Sequence, residues 1–196
     1  MIFSFRIFKA DKFPKIRVDF TFLLLIALLF LLRDRKNVLD ILLVCGLHEW
    51  GHLAAMAAFG VKLRAVHLSG FGIRMITKKS GTEPLLKSIV ILLSGPAVNL
   101  LLFLLMGRKV PETAMLSLGA CLYNLLPFSQ LDGGAVLELL ISGSVHEYAL
   151  RMALRLLRMA LFALSAVLVY CYGYALLPLS GAIFALCISE RQSHSP

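Results

Sequence analysis

Long apolar runs separated by short polar links limit the possible folds of this chain more than any other feature. The runs cover residues 20–32, 38–60, 84–106, 113–126 and 159–189. A helix needs about 20 apolar residues to cross a bilayer, and soluble domains are about 45–50% apolar, whereas this chain is 59% hydrophobic. The pattern therefore predicts an all-α integral membrane protein with about six transmembrane helices, the last run being divided in two near Pro178.

Two segments interrupt this helical pattern. Residues 61–80 combine β-branched residues with glycines, which predicts a short membrane-associated β-hairpin after the second helix. Pro127 ends the fourth run, which predicts a broken fourth helix that resumes and continues to Ile141. We divide the chain into a basic amphipathic N-terminal segment (1–17), a membrane core (18–190) and a tail (191–196).

The formal net charge of +9 comes from basic residues that flank the apolar runs. We therefore expect this charge to meet the lipid bilayer and not nucleic acid. When six spans are threaded from a cytosolic N-terminus, most Lys and Arg residues fall on the cytosolic side, in agreement with the positive-inside rule. The same threading predicts that residues 52 and 132 lie at comparable depth, toward the cytosol.

The second run contains the pentapeptide His48-Glu49-Trp50-Gly51-His52. Imidazoles four residues apart share one helix face and can bind one ion, and the carboxylate between them can take a proton from a water on that ion.

Catalytic zinc usually has three protein ligands, so a third is expected elsewhere. Asp132 is favoured because it lies at the helix break, although a plain Asp-Gly turn would look the same in sequence. The other candidates are Glu138, Asp40 and His67. A structural metal site, or a buried polar cluster without metal, is the alternative interpretation of the pentapeptide.

Three motifs in this order resemble the site-2 protease family of intramembrane zinc metalloproteases. They are His48-Glu49-x-x-His52, Ser94-Gly95-Pro96-x-x-Asn99, and Asn124-x-x-Pro127 followed by Leu131-Asp132-Gly133. The resemblance implies that His48, His52 and Asp132 bind one zinc ion per chain and that Glu49 is the catalytic base. It also implies that Asn124 helps to hold the substrate backbone or the oxyanion. The family often has a proline directly before the Leu-Asp-Gly motif, where this chain has Gln130. This difference affects the expected rigidity of the loop but not the assignment of Asp132 as a ligand.

Within the family, the chain looks most like the sporulation branch, the stage IV sporulation protein FB type, and is expected to lack the C-terminal CBS domain of that type. The resemblance implies a metalloendopeptidase in the bacterial cell membrane with its active site toward the cytosol. Its implied partners are a membrane-associated or membrane-spanning protein substrate, such as a sigma-factor pro-sequence or an anti-sigma factor, and membrane-protein regulators. Three alternatives stay open: an inactive membrane scaffold of the same fold, a transporter, and an iron oxygenase, which would call for further histidine clusters.

Overall fold

The computed structural model describes residues 14–70, 72–77 and 84–172, and the elements within these ranges are mostly helices with one small sheet. The described residues fall into two compact units, one ending at Ala120 and the other beginning at Cys121. In chain order the elements are β1 (Lys15–Val18), α1 (Phe20–Leu32), α2 (Arg35–Ala58), β2 (Leu63–Ser69), β3 (Gly72–Thr77), α3 (Leu85–Met106), α4 (Pro111–Asn124), α5 (Asp132–Ile141) and α6 (Glu147–Tyr172).

Helices α1, α2 and α3 of the first unit coincide with the first three apolar runs. Within the described residues, α2 and α3 are long and apolar enough to cross a membrane. Their leucines, such as Leu104, expose much of their side chains, and such a surface is favourable against lipid but not against water. Helix α1 has 13 residues, fewer than the roughly 20 that a span requires. The structure therefore supports a membrane protein, while the six-span count stays a prediction.

Helices α2 and α3 approach each other closely at Gly51. A β-carbon at this position would lie 2.7 Å from the carbonyl oxygen of Ser94 and 2.9 Å from Cγ2 of Val98. Only the absence of a side chain allows the two backbones to come this near, as small residues do in membrane helix pairs. The close approach places the His48–His52 face of α2 against α3.

The sheet contains the predicted hairpin and one strand that the sequence does not predict. Strands β2 and β3 pair antiparallel, with Val66 opposite Met75. Strand β1 adds to the other edge of β2 in parallel, with Ile16 opposite Val66. Residues 15–17 belong to the segment predicted to be a basic amphipathic stretch. Strand β1 thus adds a third strand to the predicted hairpin, and the described elements are mostly helical with one small sheet. Residues 1–13 lie outside the described part of the chain.

The second unit is built around a bend between α4 and α5, which confirms the break predicted from Pro127. Phe128 at the bend is fully buried and forms a small core with Leu131, against which four side chains pack: Tyr123, Leu126, Leu161 and Phe162. The expected division of the last apolar run and the expected tail fall in residues 173–196, outside the described residues.

The short link from α5 to α6 is held by a hydrogen bond at its glycine. Gly143 has a φ of 79°, a left-handed conformation that favours glycine. Its N–H donates to the carboxylate of Glu147 over 3.0 Å. This bond, together with the neighbouring Arg151, lowers the pKa of Glu147 below its ordinary value, so the carboxylate stays charged at neutral pH.

Candidate metal site and catalytic residues

The two histidines of the pentapeptide lie together on the face of α2 that packs on α3. Both are buried, with 6% and 8% of His48 and His52 exposed. Their Nε2 atoms are 3.2 Å apart and their rings meet edge to face at an angle of 86°. The imidazoles thus point their outer nitrogens at one common place, as two ligands of one ion must.

The other ring nitrogen of His52 has a fixed role. His52 Nδ1 lies 2.8 Å from the backbone carbonyl oxygen of Ile91. A carbonyl can only accept, so Nδ1 carries a proton, and Nε2 is the nitrogen that can offer a lone pair to a metal. The hydroxyl of Ser94 donates to the same carbonyl over 2.6 Å. This arrangement prepares His52 to bind a metal through Nε2, since metal-binding histidines usually donate their second N–H to a carbonyl or carboxylate.

His48 has an amide as the partner of its inner nitrogen. Its Nδ1 lies 3.2 Å from Nδ2 of Asn99, a fully buried side chain on α3. The backbone carbonyl of Asn99 accepts a hydrogen bond from Ser117 over 2.9 Å. Asn99 is therefore the second point at which α3 contacts the histidine pair.

Gly95 on α3 faces both imidazoles directly. A β-carbon at Gly95 would lie 2.7 Å from Cε1 of His52 and 2.8 Å from Cε1 of His48, and would overlap Nε2 of His52. Such distances are far inside van der Waals contact, so any side chain at this position would displace the rings. Glycine is required here to leave space in front of the two nitrogens.

Glu49 follows His48 directly and is half-buried. Successive residues of an α-helix are about 100° apart around the axis, so Glu49 lies beside the face that carries the two imidazoles. That position suits a proton acceptor at a metal site better than a third ligand on the same face.

In the second unit, Asp132 is the first residue of α5 and Asn124 is the last residue of α4, so both border the bend. The helix turn that begins at Asp132 packs tightly on this bend. A β-carbon on Gly133 would lie 2.7 Å from Cα of Leu125, and one on Gly134 would lie 2.7 Å from the backbone nitrogen of Phe128. The two glycines therefore fix the start of α5 and with it the position of the Asp132 carboxylate. A carboxylate at a helix N-terminus is also favoured by the helix dipole.

From the sequence alone, Glu138 looks like a solvated surface residue. In the structure it is instead the centre of an ion-pair network. Its two oxygens accept from Arg151 over 2.7 Å and from Arg158 over 3.2 Å. Arg158 is only 6% exposed, and its Nε also donates to the carbonyl of Pro127 over 2.5 Å. The network ties α6 to α5 and to the bend. The sequence signal for it is the spacing of the α6 arginines at 151, 155 and 158, which places them on one helix face.

The sequence places Gly95 and Asn99 in a motif at which a kink or a close helix contact is expected, but it does not predict their contacts with the two histidines. The available signal is a glycine and an amide within the most apolar of the described long helices, where a polar side chain is costly unless it has a partner. Of the two remaining ligand candidates, His67 lies in β2 and Asp40 in the first half of α2, and the structure gives neither a link to the histidine pair.

Comparison with known proteins finds two curated relatives. No protein-family model matches it. It is 31% identical over 144 residues to the stage IV sporulation protein FB of Bacillus subtilis, covering 67% of this chain and 49% of that protein. It is also 31% identical over 107 residues to the putative zinc metalloprotease sll0528 of Synechocystis, covering 48% of this chain and 28% of that protein. The chain thus spans half or less of the length of these relatives.

The fold is similar to that of a solved structure, the site-2 protease from Methanocaldococcus jannaschii. The TM-score is 0.64, with coverage of 96% of this chain and 95% of the other, at 19% sequence identity. At this identity the likeness establishes the fold alone.

Proposed function

Because this chain belongs to the site-2 protease family, we propose that it is an intramembrane zinc endopeptidase that hydrolyses a peptide bond in a membrane-associated or membrane-spanning protein. The observation that carries the proposal is the buried histidine pair: two Nε2 atoms 3.2 Å apart, with His52 already in the tautomer that binds metal. A pair of imidazoles buried in this way has no evident structural purpose in an apolar helix.

We assign His48, His52 and Asp132 as the protein ligands of one zinc ion. Two imidazoles and a carboxylate are a donor set typical of catalytic zinc, which keeps its remaining position open. When bound, zinc supplies a Lewis acid and lowers the pKa of a bound water to about 7.

Glu49 is assigned as the general base. Its carboxylate takes the proton of the attacking water and gives it to the leaving amine nitrogen as the peptide bond breaks, so that no proton is lost. Asn124 is assigned to hold the substrate backbone or the developing oxyanion through its side-chain amide. Its position at the last residue of α4, at the edge of the bend, is compatible with contact to an extended peptide.

The setting that we propose is a multi-pass protein of about six spans in a bacterial cell membrane, with the N-terminus and the active site toward the cytosol. The substrate class that fits is a sigma-factor pro-sequence or an anti-sigma factor, cut near the cytosolic face. The name of the Bacillus relative motivates a sporulation role. Strand β3 has an unpaired edge within the described sheet and offers a place for an extended peptide to add by β-pairing.

Removal of metal tests the proposal directly. We expect the purified protein in proteoliposomes to cleave a membrane-tethered sigma-factor pro-sequence or an anti-sigma-factor helix, with products identified by mass spectrometry. Treatment with 1,10-phenanthroline should abolish cleavage, and addition of one equivalent of zinc should restore it, because the water is activated only at the metal. Cleavage that persists in metal-free protein would refute the assignment.

The third ligand is tested by Asp132→Asn. The substitution keeps the shape of the side chain but removes its charge, so we expect zinc to bind at least about 100-fold more weakly, the upper end of the loss known for disturbing the surroundings of a metal ligand. Competition with a fluorescent chelator measures the affinity. Glu112→Gln is the control, since it neutralises an exposed carboxylate of α4 and should leave zinc affinity unchanged. Equal affinity of Asp132→Asn and wild type would move the third ligand elsewhere.

A further inference from the structure

The histidine pair is part of a directed chain of hydrogen bonds. His52 Nδ1–H donates to Ile91, so His52 Nε2 can only accept, and His48 Nε2 lies 3.2 Å away to donate to it. His48 Nδ1 is then an acceptor, and Asn99 Nδ2 lies 3.2 Å away to donate to it. The order of donation is Asn99 to His48 to His52 to Ile91.

This order conflicts with metal binding at one residue. To bind zinc through Nε2, neutral His48 has to carry its proton on Nδ1 instead. An N–H on Nδ1 would then face the amide N–H₂ of Asn99. Meanwhile Oδ1 of Asn99 is buried and has no hydrogen-bond partner among the described residues.

Building on the proposed function, we infer that Asn99 is a two-state positioning residue. In the metal-free protein its amide donates through Nδ2, and in the zinc-loaded protein it turns by about 180° and accepts from His48 Nδ1–H through Oδ1. An amide carries a donor and an acceptor of nearly the same shape, so the rotation needs no repacking. The turn replaces the opposed N–H groups of His48 and Asn99 by an N–H···O hydrogen bond and places the amide N–H₂ where the buried oxygen was.

Two substitutions of similar volume separate this role from simple packing. Asn99→Leu has neither donor nor acceptor, and we expect zinc to bind about 10–100-fold more weakly, as is typical when the partner of a metal-binding histidine is lost. Asn99→Asp keeps only the acceptor and should bind zinc at least as tightly as wild type. Ser117→Ala is the control, because it removes the hydrogen bond to the Asn99 backbone and leaves the amide unchanged.

The tautomer of His48 provides a second measurement that does not depend on activity. Nitrogen NMR of histidine-labelled protein should show His48 protonated on Nε2 without metal and on Nδ1 with zinc. Zinc affinity of Asn99→Leu equal to wild type, or of Asn99→Asp as low as Asn99→Leu, would overturn the inference. If wild type binds no zinc, the proposed function fails, and a metal-free His48 protonated on Nδ1 would separately refute the hydrogen-bond chain.

A different observation supports an anion site in the second unit. A cavity of about 350 Å³ is lined by Glu138, Arg151, Arg155 and Arg158. Both oxygens of Glu138 are engaged by Arg151 and Arg158. Arg155 is exposed and has no carboxylate partner among the described residues. Three guanidinium groups around one carboxylate leave the cavity positively charged.

We propose that this cavity binds an anion of the phosphate class, either free phosphate or the phosphodiester of an anionic lipid headgroup. Guanidinium groups match phosphate oxygens with paired hydrogen bonds, and Arg155 is available for this contact. Arg158, held in place by Pro127 and Glu138, forms the buried wall of the site.

The test uses purified full-length protein in detergent, with inorganic phosphate, short-chain phosphatidylglycerol and short-chain phosphatidylcholine as separate probes. Thermal stabilisation is measured for wild type, Arg155→Gln, Glu138→Gln and the control Arg64→Gln, an exposed arginine of β2. We expect about tenfold weaker binding for Arg155→Gln, because a charge-assisted pair is lost, and tighter binding for Glu138→Gln, which removes the negative charge from the lining of the cavity. Phosphatidylglycerol alone as the effective probe identifies a lipid site, and phosphate alone identifies a soluble anion. Equal response of wild type and Arg155→Gln, or no response to either anion, would refute the site.

Discussion

Replacing Glu49 by Gln should leave zinc bound and slow peptide cleavage by about 10²–10⁴-fold, the contribution usual for a general base. Glutamine has the size of glutamate but cannot accept a proton from the attacking water at neutral pH. The imidazoles and their partners Ile91 and Asn99 are untouched by the change. The measurements are bound zinc by elemental analysis and the single-turnover cleavage rate in proteoliposomes.

Glu112→Gln is the matched control for this substitution. Glu112 is an exposed carboxylate paired with Lys36 over 2.7 Å, and exposed ion pairs of this kind contribute little to stability. We expect both its zinc content and its cleavage rate to equal those of wild type. Loss of zinc together with activity in Glu49→Gln would make Glu49 a ligand, and retained cleavage would assign the base to another group. If neither wild type nor any variant cleaves a substrate, the inactive-scaffold or transporter interpretation is favoured instead.

The features that sequence predicts correctly are those that depend on neighbouring residues. The apolar runs give the bounds of α1 and α3 almost to the residue, because lipid exposure imposes a continuous apolar surface on a helix. The pairing of His48 with His52 follows from the helical repeat. The bend before Asp132 follows from Pro127, which cannot continue the hydrogen bonds of α4.

The features that sequence does not predict depend on contacts between distant segments. Strand β1 is four residues long and pairs Lys15 with Ala65, and no local pattern marks so short an edge strand. Glu138 looks like a solvated residue until α6 brings two arginines to its carboxylate. Asn99 and Gly95 acquire their roles only when α3 packs on α2. For Asn99, the sequence shows only that a polar side chain lies in an apolar helix, which indicates that it has a partner but does not identify that partner.

Gly95→Ala should abolish zinc binding and, with it, cleavage. The added methyl group would overlap Nε2 of His52 and lie 2.8 Å from Cε1 of His48, so it would occupy the space that an ion needs in front of the imidazoles. A Zn–N bond is about 2.0–2.1 Å long, which leaves no room for a methyl group at the same nitrogen. We expect zinc affinity to fall by more than about 100-fold, as for loss of a ligand's correct orientation. Chelator competition and thermal unfolding measure the affinity and the integrity of the fold.

A loss of zinc affinity in Gly95→Ala distinguishes the steric role of Gly95 from the usual effect of a Gly→Ala substitution on helix stability. In a helix interior, Gly→Ala is otherwise stabilising by about 0.5–1 kcal/mol because alanine loses less backbone entropy. Gly46→Ala is the matched control: Gly46 lies on α2 two residues before His48, and a β-carbon there would have nothing within 4 Å. This control should keep full zinc affinity and unfold at the same or a higher temperature. Normal zinc binding by Gly95→Ala would show that the two imidazoles do not bind metal through the space that Gly95 leaves open.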